Sequence, residues 1–256
     1  MPFRPVQPEK LSSAVIRQIE QLILRGILRP GERLPSERDL AERLGVSRPS
    51  LRDAIGALQD DGLLAARPGA GVFVADVLGS AFSPALVQLF ARHSEAVIDY
   101  LSFRRDLESL AAERAARLAS DTDLKVVQTV FDKMETAHEK NEPNEEAQLD
   151  AQFHMTIIEA GHNVVMLHMM RSMYDLLRQG VFYNRQIMFK QSTTRSAILD
   201  QHRAINAALQ TRDPVAARAA VQAHLNFVES ALLDQQKSAR NEEVAQLRLD
   251  HETHDH

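Results

Sequence analysis

Apolar residues recur three and four positions apart along most of this chain, the pattern of helices that each bury one face. From Lys10 to Leu28 they fall at Leu11, Val15, Ile19, Leu22, Ile23 and Ile27, and Arg29-Pro30-Gly31 closes the run. Leu40, Ala41 and Leu44 predict a second helix, with Ser36 as its N-cap and Asp39 near the usual capping-box position. Gly45 ends it, because a residue without Cβ takes the left-handed conformation at little cost. Leu51, Ala54, Ile55 and Leu58 stripe a third helix, capped by Ser47 and ended by Gly62. Pro49 falls in its first turn, where a missing N–H goes unnoticed. The short break at Gly45 makes the pair a helix-turn-helix.

After Gly62 the pattern changes. Leu63 to Arg67 and Val72 to Val74 flank Pro68-Gly69-Ala70-Gly71, which predicts a β-hairpin with a glycine-rich tip. A hairpin directly after a second helix of this kind is a wing, and its tip lets backbone approach a phosphate or a minor groove. Residues 1–9 read as a loose arm and Asp76 to Pro84 as a linker. Beyond it strand patterns vanish. Helices are predicted at about 84–93, 95–119, 122–140, 145–160, 163–189, 193–211 and 213–237, with Gly180 as a kink in the fifth of these. The fold class is therefore mainly α: a winged helix-turn-helix over residues 1–78, an all-α helical bundle over 79–237 and a charged, frayed tail over 238–256.

Composition narrows the class. Cysteine is absent, which removes disulfides and thiol chemistry. The opening MPFRPVQPEK is no signal peptide, and no apolar run approaches a membrane span, so a cytoplasmic protein with no membrane partner is expected. The formal net charge of -5 is unevenly spread. Residues 1–78 hold 11 Lys+Arg against 10 Asp+Glu, and the rest holds 19 against 25. Net charge thus gives no argument for nucleic acid; local placement does. Ser47, Arg48, Ser50 and Arg52 crowd the start of the third helix, the part that enters a major groove in this motif. Hydroxyls and guanidiniums bond phosphate oxygens, and Arg also reads guanine edges. A near-neutral head of this kind binds non-specific DNA weakly and relies on base contacts and dimerisation.

The chain here resembles the GntR family of bacterial winged-helix regulators. The likeness rests on Leu28-Arg29-Pro30-Gly31, Leu34 to Ala41, Val46-Ser47-Arg48, Leu51 to Ala54, Leu58 and Asp61-Gly62-Leu63. It implies that Arg38, Ser47, Arg48 and Arg52 contact DNA, that Gly69 lies at the wing tip, and that a homodimer sits on a palindromic operator. The helical remainder resembles the FadR branch of the family, through Arg104-x-x-Leu107-Glu108, Asp150-x-x-x-His154, His202 and His224. Ser47 to Arg52 and Gly161 to His168 are similar to the pyruvate- and lactate-responsive regulators of that branch.

Asp150 and His154 lie one helical turn apart on one face, and His202 and His224 come from two further helices. Inward ligands on facing helices are how bundle metal sites are built. Read alone, an Asp-x-x-x-His on a helix is usually a surface pair, and His202 and His224 are hydrogen-bonded core or surface histidines. The resemblance implies that the four hold one divalent metal: zinc first, with nickel, manganese or iron also suited to the donor set. Arg104 reads either as a surface partner of Glu108 or, as the resemblance implies, as the clamp for a small carboxylate effector. Arg105 is the weaker candidate by register. His162 and His168 read as structural, His93, His138 and the tail histidines as exposed.

These readings predict an allosteric regulator, a repressor released by pyruvate, lactate or a similar acid. The complete metal set turns the choice toward a 2-hydroxy acid such as lactate or glycolate. The competing readings are a metalloenzyme fused to a DNA-binding domain, since an open metal position activates water, and a purely structural metal. No general base stands in an identifiable motif near the four ligands, so no catalytic residue is assigned.

Overall fold

The structure, a computed structural model, describes residues 10–75, 83–93, 95–178 and 192–254. The arm at 1–9, nearly all of the linker and the Gly180 kink lie outside the described residues. The chain divides into two compact units, Met1–Ala81 and Phe82–His256.

In the first unit α1 spans Leu11–Leu24, α2 Glu37–Leu44 and α3 Arg48–Asp60. The α1 face at Val15, Ile19 and Ile23 packs on Leu51, Ala54 and Leu58 of α3, all buried. The predicted extension of α1 to Leu28 does not form. Gly26 turns left-handed at φ 71°, and the N–H groups of Ile27 and Leu28 both bond back to the Leu22 carbonyl. That glycine, rather than Arg29-Pro30-Gly31, is the stop signal, and Ile27 is left 61% exposed instead of on the apolar face. Ser36 and Ser47 cap α2 and α3 as expected, accepting from the N–H of Asp39 and Ser50 at 3.3 Å each. Gly45 is left-handed at φ 65°.

Strands β1 (Leu64–Arg67) and β2 (Gly71–Val74) pair antiparallel, with Leu64 opposite Val74 and Arg67 opposite Gly71. The segment before α2 adds to the free edge of β2: Leu34 N–H donates to Val72 O and Val74 N–H to Glu32 O, both at 2.9 Å. This edge pairing is not legible in the sequence, because residues 31–34 show no strand alternation.

Among the described residues the second unit is helical: α4 Pro84–Arg92, α5 Glu95–Leu118, α6 Asp121–Glu139, α7 Pro143–Ala160, α8 Val164–Arg178, α9 Ser192–Gln210 and α10 Pro214–His254. One apolar cluster centres on Phe131, Phe153, Ile205, Leu209 and Leu225. A second centres on Leu101, Ile158, Met170, Tyr174 and Val228. Ala111, Ala112, Ala115 and Ala116 are buried along α5 and let its neighbours approach closely. Ser120 and Asp123 form a reciprocal capping box on α6. The Asp213 carboxylate accepts from the N–H groups of Val215 and Ala216, capping α10 at the predicted break.

Two expectations are corrected here. The chain from Ser238 continues α10 to His254 instead of fraying. It contains no Gly or Pro and draws on Ala, Arg, Glu and Leu, which sustain a helix even without a core to cover. His138 is not solvated: its side chain is 24% exposed. Its Nδ1 lies 3.1 Å from Glu146, and its carbonyl accepts from Arg195 at 2.9 Å. Arg195 also pairs with Glu146 at 2.7 Å and bonds Asn141, so it pins the start of α9 to the α6–α7 turn. Among the described residues no helix is long and apolar enough to cross a membrane.

Candidate metal centre and nucleic-acid interface

Helix α7 turns Asp150 and His154 to one side, α9 brings His202 and α10 brings His224. All four are buried, and one ligand atom of each lies within 4.8 Å of the others. His202 Nε2 stands 3.2 Å from His154 Nε2 and 3.1 Å from Asp150 Oδ1. The His154 and His224 rings stack with centroids 5.1 Å apart, and Phe153 meets His202 edge-on at 5.2 Å. Three imidazoles and a carboxylate converging from three helices form a donor set that suits one divalent cation. Burial, then the positive fields of His202 and His154, push the His224 pKa well below its ordinary value. His224 is therefore held neutral, with a lone pair to offer.

The side of the cluster facing α5 was not foreseen. Glu108, fully buried, accepts from His154 Nδ1 at 2.8 Å. Burial alone would raise its pKa, but the charges and hydrogen bonds of Arg104 and His154 outweigh this and hold it at about 2. A carboxylate ionised in this way can only accept, so His154 holds a proton on Nδ1, and in its neutral form its Nε2 is left for a cation. Arg104 is 1% exposed. Its Nε donates to Glu108 at 2.6 Å, and its Nη2 donates to Glu108 at 3.3 Å and to the Tyr174 hydroxyl at 2.7 Å. Tyr174 in turn donates to Glu108 at 2.9 Å. The Arg104–Glu108 pair visible in the sequence thus exists, but in the core rather than at the surface. Arg105 turns to α10 and bonds Asn226 and Glu229. His162 holds Asp123 at 3.0 Å.

In the first unit Arg38, Arg48 and Arg52 are exposed on α2 and α3. Ser47 and Ser50 share a hydroxyl contact of 2.9 Å at the start of α3. Gly69, left-handed at φ 72°, sits in the turn between β1 and β2. Behind that turn Arg67 lies 4.4 Å over the Phe73 ring. One residue on this face escaped the sequence reading. Glu37 accepts from Arg52 at 2.7 Å and lies 3.9 Å from Arg48, so it gathers both guanidiniums. It stands in the first turn of α2, where a carboxylate also suits the helix dipole, and its place in Leu34 to Ala41 does not reveal this pairing.

A winged helix-turn-helix followed by a helical bundle with a buried His/Asp cluster defines a DNA-binding transcription regulator with a ligand-binding domain. Residues 11–74 match the family described as bacterial regulatory proteins, gntR family, and residues 99–227 match the FCD domain. The chain belongs to the GntR family. It is 34% identical, over 97% of each chain, to the protein designated regulator of the L-lactate dehydrogenase operon in Escherichia coli (strain K12). It is 33% identical to the Glc operon transcriptional activator of the same organism, over 88% of this chain and 89% of that one. Identity to the transcriptional regulator LutR of Bacillus subtilis (strain 168) is 30%, over 82% and 96%. These relatives are transcriptional regulators, not enzymes. A solved GntR structure from Streptococcus agalactiae shares the fold with TM-score 0.52 and 24% identity, covering 86% of this chain and 99% of that one.

Replacing Arg104 with Leu strands the ionised Glu108 in the core. The expected loss is about 3–5 kcal/mol in urea unfolding of the metal-free protein, with most of it recovered when Glu108→Gln is added; an unchanged midpoint refutes the pairing. A histidine whose folded pKa lies below its unfolded value contributes stability that weakens as pH falls through 6.5 toward the folded value. Metal-free protein should therefore unfold more easily at about pH 5.5 than at about pH 7.5, and His224→Gln should flatten that slope.

Proposed function

We propose that this chain is a homodimeric, metal-dependent transcription repressor that leaves a palindromic operator when a small 2-hydroxy monocarboxylate, lactate or a near relative, enters the helical domain. The first 78 residues act as the reading head, with Arg38, Ser47, Arg48, Ser50 and Arg52 on DNA and Gly69 at the phosphate-facing wing tip. Residues 79–237 act as the sensing and dimerising domain. The observation that carries the reading is the convergence of Asp150, His154, His202 and His224 next to the buried Arg104–Glu108 pair.

The donor set favours zinc, with nickel, manganese and iron also compatible. A cation there supplies Lewis-acid positions for a carboxylate oxygen and the adjacent hydroxyl or keto oxygen. The chain's own residues decide the charge. Arg104 cancels Glu108, the histidines are neutral ligands, and a divalent cation over Asp150 leaves one positive charge in excess among the described residues. A single carboxylate neutralises that excess among these buried side chains, whereas a dicarboxylate brings an uncompensated charge into the core. Arg104 borders the site with its charge already balanced by Glu108, and would orient the acid rather than neutralise it. The L-lactate dehydrogenase operon in the designation of the Escherichia coli relative agrees with this size and charge. The effector acts by binding one arrangement of the dimer better than the other, since only differential affinity moves an equilibrium.

Fluorescence anisotropy on operator DNA, across two- to four-carbon acids with zinc and after chelation, tests the reading. Lactate or glycolate should weaken binding in the metal-loaded protein, dicarboxylates such as malate should do little, and chelation should erase the difference; tighter binding with acid reverses the sign and refutes the repressor. Arg52→Ala should cost about 1–3 kcal/mol on operator DNA while leaving acid binding intact, as measured by calorimetry.

A further inference from the structure

Gln201 sits one residue before His202 on α9, half-buried at the margin of the cluster. Its Oε1 lies 2.9 Å from Nδ1 of His224 on α10. With the amide oxygen turned to the ring, as it lies here, the bond requires the His224 hydrogen on Nδ1; the amide nitrogen turned there would donate to the other tautomer. Glu108 imposes the same choice on His154 from α5, at 2.8 Å. Two acceptors on different helices, one charged and one neutral, therefore select the same tautomer in two stacked rings.

We propose that Gln201 is a positioning residue: together with Glu108 it presets the tautomers of the paired histidines, so that His224 and His154 both turn an Nε2 lone pair to the site before any cation arrives. This rests on the metal reading above and adds how the site is made ready. The physical reason is the geometry of imidazole. A neutral ring has one donor and one acceptor nitrogen, and the wrong tautomer would aim N–H at the cation and oblige the Gln201 amide to turn its nitrogen to Nδ1. Fixing the ring through its outer nitrogen removes the cost of rotating and re-protonating it on binding. Because Gln201 and His202 are adjacent on α9, the helix that supplies one ligand also orients a ligand on its neighbour. The spacing of α9 and α10 is thereby read at the site through two contacts instead of one.

The test uses the full-length protein with 15N-labelled histidine. In the metal-free wild type, long-range 1H–15N spectra should show His154 and His224 protonated on Nδ1. Gln201→Leu should move His224 toward the Nε2–H form, leave His154 unchanged, and weaken zinc about 10- to 100-fold in chelator competition. Gln201→Glu, which keeps an acceptor in place, should retain the wild-type tautomer and lie near wild type in affinity. A merely structural role would lower thermal stability in both variants without changing the tautomer. The proposal is overturned if wild-type His224 carries its proton on Nε2, or if Gln201→Leu changes neither tautomer nor affinity. A wild type that takes up no zinc refutes the metal reading separately, and the tautomer spectra then decide this proposal by themselves.

Discussion

A carboxylate buried in a helical core is tolerated only when every lone pair finds a donor, and Glu108 is such a group. Removing an ion of this kind from water costs several kcal/mol, which good geometry and further hydrogen bonds must offset. Its donors are drawn from three helices: Arg104 one turn earlier on α5, Tyr174 on α8 and His154 on α7. Satisfying Glu108 therefore ties α5, α7 and α8 together at one point. It also settles the protonation of a histidine whose other nitrogen faces the cluster. Stability and site chemistry are not separable here.

The helices were legible because most of this chain alternates stripes with capped breaks. Ser36, Ser47, Gly45 and Asp213 each do what their residue type dictates, and the hairpin follows from Pro68 to Gly71. The failures have equally local causes. Gly26 ended α1 early because a left-handed residue outweighs the apolar periodicity that carried the reading on to Leu28. The tail of α10 stayed helical because propensity suffices where nothing forbids the helix.

Site residues were legible where spacing or the family pattern carried them, as with Asp150, His154, His202, His224 and Arg104, all of which the fold brings into one region of the core. Glu108 was visible as the i,i+4 partner of Arg104, yet nothing along the chain says whether such a pair faces water or the interior. Gln201, Tyr174 and Glu37 left no signal, because each acts through a residue far away in sequence. The polar partners of a site are set by helix packing, which the one-dimensional pattern does not encode. In the first unit the same limit hid Glu37, whose carboxylate keeps Arg48 and Arg52 together at the start of α3.

The four convergent ligands belong to chain segments that lie far apart in a sequence without a single cysteine. An ion gripped by them would be a non-covalent cross-link: it would close two large loops, between α7 and α9 and between α9 and α10, and would stabilise the folded chain by binding that state alone. Closure entropy grows only logarithmically with loop size, so loops this long are nearly as favourable to tie as short ones. The knot is reversible in a way a disulfide is not, responding to metal supply instead of redox state. In such an arrangement the abundance of the folded regulator would follow the free metal concentration around it.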